Sequence, residues 1–449
     1  MTYEQLRTDH AAGKIDNVIV ALPDLQGRLQ GSRLAVPHFL DEAATHGFSA
    51  CTYLLATDVD MNTGPGYAID AWNTGFGDFL LHPDATTYTT LPWDEATALV
   101  IADATWPDGT PVPIAPRHIL RRQLDRLAAH GLTAHAGTEL EFLAFHDTYA
   151  EAHEADYHRL RPATRHNVDY ALQGTTHLEP MLRRIRREMV QAGLTLETAR
   201  AEVHPGQYEI VFRYDEAMTT ADHHTLFKHG TKTIAAQEGH AITFMPKYDE
   251  GEGNSCHIHL SLRGTDGTPV LADPTAPDGM SALMRHFIAG QLAALPDFTL
   301  LLAPNINSYK RLQPGAFAPT GITWGTDNRT CPIRVIGSGH SLRIEHRVPG
   351  GDANPYLALA ALIAAGLHGI ENQLPLPEPH PDNALADPTV PRLPSTLTES
   401  LHHWETSELV TKTFGDTITT HYAQAARTEL TTFERAITDW ERRRGFERL

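Results

Sequence analysis

Four short segments carry charged side chains where strand alternation would place the core, and this constrains the fold more than any other feature. In residues 135–145 (HAGTELEFLAF), Glu139 and Glu141 stand two apart, so a strand directs both to one face. In 201–212 (AEVHPGQYEIVF), Glu202 and Glu209 flank a His-Pro-Gly-Gln turn, which suits the two arms of a hairpin. In 255–262 (SCHIHLSL), His257, His259 and Ser261 alternate with Ile258 and Leu260. In 341–349 (SLRIEHRVP), Arg343, Glu345 and Arg347 share a face opposite Ile344, His346 and Val348. Each segment also has a bland reading. A lone Glu-x-Glu is most often a solvated face, His-x-His is a weak signal among 27 histidines, and Arg-x-Glu-x-Arg serves equally as an ion-pair ladder. Taken together, they predict inward carboxylates that converge, and buried carboxylates need cations to neutralise them.

Five glutamates with one or two histidines and no thiolate make a hard, mainly oxygen donor set. Such a set suits two or more Mg²⁺ or Mn²⁺ ions better than zinc or copper. Several carboxylates with more than one metal are also what phosphoryl transfer requires, and the arginines would hold phosphates or a substrate carboxylate. Cys51, Cys256 and Cys331 are odd in number and widely spaced, which argues against a disulfide framework or a thiolate zinc site.

The chain has 449 residues, 41% of them hydrophobic, and a net charge of −19. That length predicts a large domain with at least one smaller companion. The acidic balance without a basic cluster argues against nucleic acid and anionic membrane surfaces as partners. The most apolar stretch, 356–370 (YLALAALIAAGLHGI), is too short to span a bilayer and reads as a buried helix. A cytoplasmic protein is expected. Strands are predicted at 17–21 and 98–105, and the proline-rich stretch near 110–116 marks a boundary between units 1–110 and 111–449. Helices follow, one with Ile119, Leu120, Leu124 and Leu127 inward. A second, over 178–192, places Met181, Leu182, Ile185, Met189 and Val190 on one face.

In sequence order, Glu139-Leu140-Glu141, Pro205-Gly206-Gln207-Tyr208-Glu209, Cys256–Ser261, Asn307–Leu312, Asn328-Arg329-Thr330 with Arg334, Arg343–Arg347 and Ala353–Tyr356 match a family. Over roughly residues 16–370 the chain resembles glutamine synthetase of the bacterial type. The resemblance implies an α+β fold, with a small β-grasp-like N-terminal domain and a large catalytic domain on a curved antiparallel sheet. It also implies a homododecamer of two hexameric rings with active sites between neighbouring subunits. By the same resemblance, Glu141, Glu202 and Glu209 hold one divalent ion, and Glu139, His257 and Glu345 hold a second. Glu197, His259, Ser261, Arg334 and Arg343 contact ATP, and Gly253, Arg311, Arg329 and Arg347 bind glutamate. Arg311, Arg329 and Phe317 are the expected catalytic positions. The implied reaction phosphorylates the γ-carboxylate of glutamate with ATP, after which an amine attacks the acyl phosphate.

The chain departs from the family pattern where the amine enters. The family's flap reads PGxEAP, and its Glu helps hold and deprotonate ammonium. Here the flap is Pro314–Pro319 (PGAFAP), with Phe317 in that place. The family's Phe-Asp-Gly-Ser-Ser segment corresponds to Phe48-Ser49-Ala50-Cys51-Thr52, which has no Asp. An aromatic ring and hydroxyls in place of two carboxylates favour an amine with a carbon body, as in ligases that join glutamate to organic amines. The expected amine pocket is Ser49, Thr52 and Phe317, with ethanolamine as the amine. Polyamines are the alternative, for which Asp58 and Asp60 would bind the distant cation. A true glutamine synthetase and a catalytically silent relative are the remaining readings. Glu252 stands where many members have Asn, which puts a side-chain contact to glutamate from that position in doubt. Cys331 and His340 are expected to be structural.

Overall fold

The computed structural model describes residues 3–69 and 71–449. Strands β1 (Asn17–Pro23) and β2 (Leu29–Ala35) form a hairpin, followed by β3 (Phe48–Cys51), β4 (Asp78–Pro83), β5 (Thr89–Thr90) and β6 (Thr97–Thr105). Their sheet runs β2-β1-β6-β4-β3, with β1 parallel to β6 and β5 pairing β6. Alternation in β1 buries Val18, Val20 and Leu22 completely against a core that includes Phe39, Leu81 and Val100.

Helix α1 (Pro116–Ala129) starts with proline in its first turn, where no N–H is needed, and stops before Gly131 at φ +73°. The second sheet is built on β7 (Leu132–Phe145), a 14-residue strand that pairs with four others. These are β9 (Gln207–Phe212), β10 (Asp215–Glu216), β11 (Ala241–Thr243) and β12 (Cys256–Gly264), while β8 (Leu196–Ala201) pairs β9. On the other side follow β13 (Trp324–Thr326), β14 (Ile333–Ile336) and β15 (Arg343–His346), giving the order β13-β14-β15-β12-β7-β9-β8. The sheet is antiparallel except for β13 and β14, which run parallel. The expected antiparallel sheet is thus present, with one short parallel pair at its edge. Both strands are only three or four residues long, and their pairing is set by contacts that local patterning does not encode.

Register decides the chemistry. Directly opposed residues share a face. Glu139 lies opposite His257, Glu141 opposite Glu209, His259 opposite Glu345, and Arg334 opposite Glu345. One concave face thus collects the inward charges of five strands.

Helices α2 (Glu179–Gln191), α3 (Ala217–Gln237), α4 (Ala282–Leu302), α5 (Pro355–Glu371) and α6 (Asp416–Arg435) flank the sheets. Helix α2 buries Met181, Leu182, Ile185 and Met189, but Val190 is 56% exposed, so the helix presents a narrower face than its sequence suggested. Helix α5 is apolar all round because it is buried all round, and it lies close against α4. A Cβ on Gly290 would fall 2.2 Å from the Ala365 carbonyl, so glycine is required for this approach. Among the described residues, no helix is long and apolar enough to cross a membrane.

Candidate active site

Two cavities lie on the concave face, and Glu139 lines both. The larger, about 770 Å³, is lined by Glu141, Glu202, Glu209, His257, Glu345, Gly253, Arg329, Arg334, Arg347 and Phe317 among others. The smaller, about 490 Å³, is lined by Glu197, His259, Ser261 and Arg343, together with Gly137, Tyr214 and His340. Four of the five side chains expected to meet nucleotide therefore share one cavity. Arg334, expected with them, opens on the larger cavity.

The Glu139 carboxylate accepts from His259 Nε2 at 2.8 Å and from His257 Nδ1 at 3.3 Å. The Nδ1 atom of His259 accepts from Arg343 Nε at 3.2 Å, which leaves Nε2 as the nitrogen that donates to Glu139. Glu345 is buried between Arg347 Nη1 at 2.5 Å and Arg334 Nη1 at 2.9 Å, with His257 Nδ1 3.6 Å away. Burial would raise both carboxyls. Hydrogen bonds from His257 and His259 instead hold Glu139 well below its usual range. At Glu345, His257 and Arg347 outweigh burial and bring the carboxyl to about 2. Burial and the neighbouring Arg347 push His257 down to about 4, so at neutral pH it is an uncharged imidazole that still donates to Glu139.

The second carboxylate set behaves in the opposite way. Burial and the charge of Glu202 raise Glu141 to about 7, while its Oε2 accepts from the Ser255 N–H at 2.7 Å and from Gln207 Nε2 at 3.1 Å. Burial, Glu139 and Glu141 raise Glu209 to about 9, and burial also raises Glu202. Arg200 pairs with two members of this set: its Nε donates to Glu202 at 2.9 Å, and its Nη2 lies 2.6 Å from Glu209 Oε1. The second contact has ion-pair distance without hydrogen-bond geometry, and Oε1 is otherwise buried without a partner.

These features fit divalent cations. Ligand atoms of Glu141, Glu202 and Glu209 converge within 4.8 Å of one another, as do those of Glu139, Glu209 and His257, and of Glu139, His259 and Glu345. The donors are carboxylate oxygens and imidazole nitrogens, and burial with like charge raises the carboxyls of Glu141, Glu202 and Glu209, a cost that a bound cation would relieve. The last two groups share Glu139, and His257 Nδ1 lies 3.3 Å from Glu139 and 3.6 Å from Glu345, so Glu139, His257, His259 and Glu345 form one cluster.

Arg311, Ser49, Thr52, Asp58 and Asp60 line neither of these two cavities. Arg311 is buried beneath the larger one, donating to the Val348 carbonyl and Ser255 Oγ at 2.8 Å each and to the Arg347 carbonyl at 3.3 Å. Ser49 is exposed on β3 and Thr52 is buried in its own chain. Neither lines the cavity with Phe317. Asp58 accepts from the N–H groups of Asp60 and Asn62 at 3.0 and 2.8 Å, so it caps its own turn and likewise does not line the larger cavity.

The larger cavity also contains Arg200, Asp169, Tyr170, Gln207, Ser255 and Glu252, and His340 lines the smaller one. The alternation that singled out Glu202 extends back to Arg200, which lies opposite Glu209 in the β8–β9 register and could have been found that way. Asp169 and Tyr170 sit in a connection with no periodic signal.

Residues 113–445 match the family model described as the catalytic domain of glutamine synthetase. The γ-glutamylethanolamide synthetase GlnA4 of Streptomyces coelicolor is 58% identical over 446 residues, spanning 99% of this chain and 96% of that protein. A glutamate–isopropylamine ligase from a Pseudomonas species is 34% identical, over 95% and 94% of the two chains. The glutamine synthetase of Thermus thermophilus is 37% identical, over 81% and 84%. The solved ADP complex of GmaS superposes with a TM-score of 0.86 at 28% identity, covering 98% of this chain and 99% of the other. The chain belongs to the glutamine synthetase family, on the branch that holds the γ-glutamylethanolamide synthetase and the glutamate–isopropylamine ligase.

Proposed function

We propose that the chain is an ATP-dependent ligase that joins the γ-carboxyl of L-glutamate to ethanolamine through γ-glutamyl phosphate. The observation that carries this reading is Phe317, a 56% exposed aromatic ring in the wall of the carboxylate-lined cavity, at the flap position where an ammonium-using enzyme carries Glu. A ring there packs against carbon and lowers the negative charge that would hold ammonium. The similarity to the Streptomyces coelicolor γ-glutamylethanolamide synthetase supports ethanolamine over other amines.

In this reading Glu141, Glu202 and Glu209 hold one Mg²⁺ or Mn²⁺, and Glu139, Glu345 and the imidazoles of His257 and His259 serve the second. When bound, these ions neutralise phosphate oxygens during transfer. Glu197, His259, Ser261 and Arg343 hold the nucleotide in the smaller cavity, and Arg334 stands at the junction with the larger one. Arg329 and Arg347 face glutamate. At Gly253 a Cβ would lie 2.2 Å from the Pro246 carbonyl, so glycine lets the chain pass closely enough to offer backbone to the substrate. Arg311 is a positioning residue, fixing Ser255 and the carbonyls of Arg347 and Val348 from below. Assembly into hexameric rings would bring β3 of a neighbouring copy, with its Ser49 and Thr52, towards the cavity. The test is product analysis by mass spectrometry after incubation with Mg-ATP, glutamate and either ethanolamine or putrescine. Formation of γ-glutamylethanolamide supports the reading, and exclusive γ-glutamylputrescine moves it to polyamines.

A further inference from the structure

We propose that Glu252 is the carboxylate that receives the cationic head of the incoming amine, in place of the flap Glu that this chain lacks. The inference rests on the ligase reading above and names the specificity residue of that site.

Glu252 lines the larger cavity beside Phe317, and its Oε2 accepts from the Phe317 backbone N–H at 3.3 Å. The carboxylate is thus tied to the flap residue whose side chain lost the charge. The loop that presents it is braced before and after Glu252 in the chain. Asn254 Nδ2 donates to the carbonyls of Thr243 at 3.2 Å and Met245 at 2.9 Å, and the Lys247 N–H donates to Asn307 Oδ1 at 2.8 Å. The Gly251 N–H donates to Asp249 Oδ1 at 2.7 Å, and that oxygen also meets His204 Nε2 at 2.8 Å. A carboxylate on so fixed a loop is held ready for a ligand rather than free to leave.

Of the cavity's seven carboxylates, five belong to the cation-binding sets and Asp169 borders Glu202. Glu252 is the one of the seven tied to the flap, through the Phe317 N–H, so an amine bound between this carboxylate and the Phe317 ring would meet negative charge on one side and carbon on the other. An alkylammonium is the chemistry that this pair fits. In the transfer step, one N–H proton passes to Glu252 and the freed lone pair forms the C–N bond at the γ-carbonyl carbon. The C–O bond to phosphate breaks with its electron pair on phosphate, which takes the second N–H proton and leaves as the hydrogen phosphate dianion.

The experiment compares wild type, Glu252→Gln, Glu252→Asp and Asp169→Asn with ethanolamine and with hydroxylamine, which is uncharged at neutral pH. Glutamine keeps an acceptor for the Phe317 N–H, so a purely structural role is preserved. Glu252→Gln is expected to lower kcat/KM for ethanolamine roughly tenfold or more, to leave KM for glutamate and ATP unchanged, and to affect hydroxylamine far less. Glu252→Asp should recover part of the loss. Equal losses with both nucleophiles, a rise in glutamate KM instead, or a loss on Asp169→Asn rather than Glu252→Gln would overturn the inference. Wild type that turns over ethanolamine while Glu252→Gln matches it sinks this inference alone. Wild type that uses no organic amine sinks the ligase reading and this inference with it.

Discussion

Arg117 on α1 ties the first sheet to helix α3, and its replacement should cost more than that of any surface charge. Its side chain is 2% exposed. Its Nε and Nη2 grip both oxygens of Asp222 on α3 at 3.1 and 3.0 Å, Nη1 reaches Asp103 on β6 at 2.7 Å, and Nη2 reaches Asp84 at 2.7 Å. Asp222 is buried and also accepts from the Tyr356 hydroxyl at 2.6 Å. In Arg117→Met, Asp84 and Asp103 rehydrate because they are partly exposed, but Asp222 keeps a buried charge without its cation. Breaking a buried pair in this way costs about 3–5 kcal/mol. For a chain of this length, an unfolding entropy of ~2.1 cal/mol/K per residue converts that to a fall of roughly 4 °C in Tm. The assay is thermal melting of Arg117→Met beside the double variant Arg117→Met/Asp222→Asn, which removes the stranded charge but keeps an acceptor for Tyr356. The double variant should regain at least half of the loss. A single variant that melts with wild type, or a double variant no better than the single, would refute the account of a charge stranded by its lost partner.

Three further outcomes follow from the same geometry. Phe317→Glu restores a carboxylate at the flap and should shift the ratio of ammonium to ethanolamine turnover towards ammonium by about tenfold or more, read from initial rates of phosphate release. Arg200→Gln removes the cation that faces Glu202 and Glu209, so Mn²⁺ should bind the nucleotide-free protein about tenfold or more tightly, measured by calorimetry; equal or weaker binding would contradict the assignment. His421 is buried, meets the Leu55 carbonyl through Nε2 at 2.7 Å, and is pushed by burial from 6.5 to about 4. Because the folded form holds the neutral ring, its contribution is complete above the unfolded pKa near 6.5 and fades as pH falls towards 4, by up to roughly 3 kcal/mol. His421→Gln keeps a donor for Leu55 and should flatten the fall in Tm between pH 7 and pH 5.

The legible part of the site was the part written in strand alternation. Glu139 with Glu141, His257 with His259, and Glu345 between Arg343 and Arg347 reveal themselves by spacing, because period-two side chains share a face. The register that sets Glu141 opposite Glu209 and His259 opposite Glu345 joins segments tens of residues apart and is fixed by tertiary packing. Alternation therefore predicted convergence without predicting which ligand atoms group together. Arg311 shows a different gap. Its motif marked it as important, but whether a guanidinium faces a cavity or lies under it depends on the carbonyls that happen to surround it, here those of Val348 and Arg347. The Ala-rich run of α5 was legible as buried, and Val190 was misplaced because an apolar residue at helical spacing is often left on the surface.

The most direct test of the central claim is a competition. Wild-type protein is given Mg-ATP, glutamate and equal concentrations of ethanolamine and ammonium, and both products are quantified by mass spectrometry. The account predicts that γ-glutamylethanolamide dominates; glutamine as the main product would contradict it.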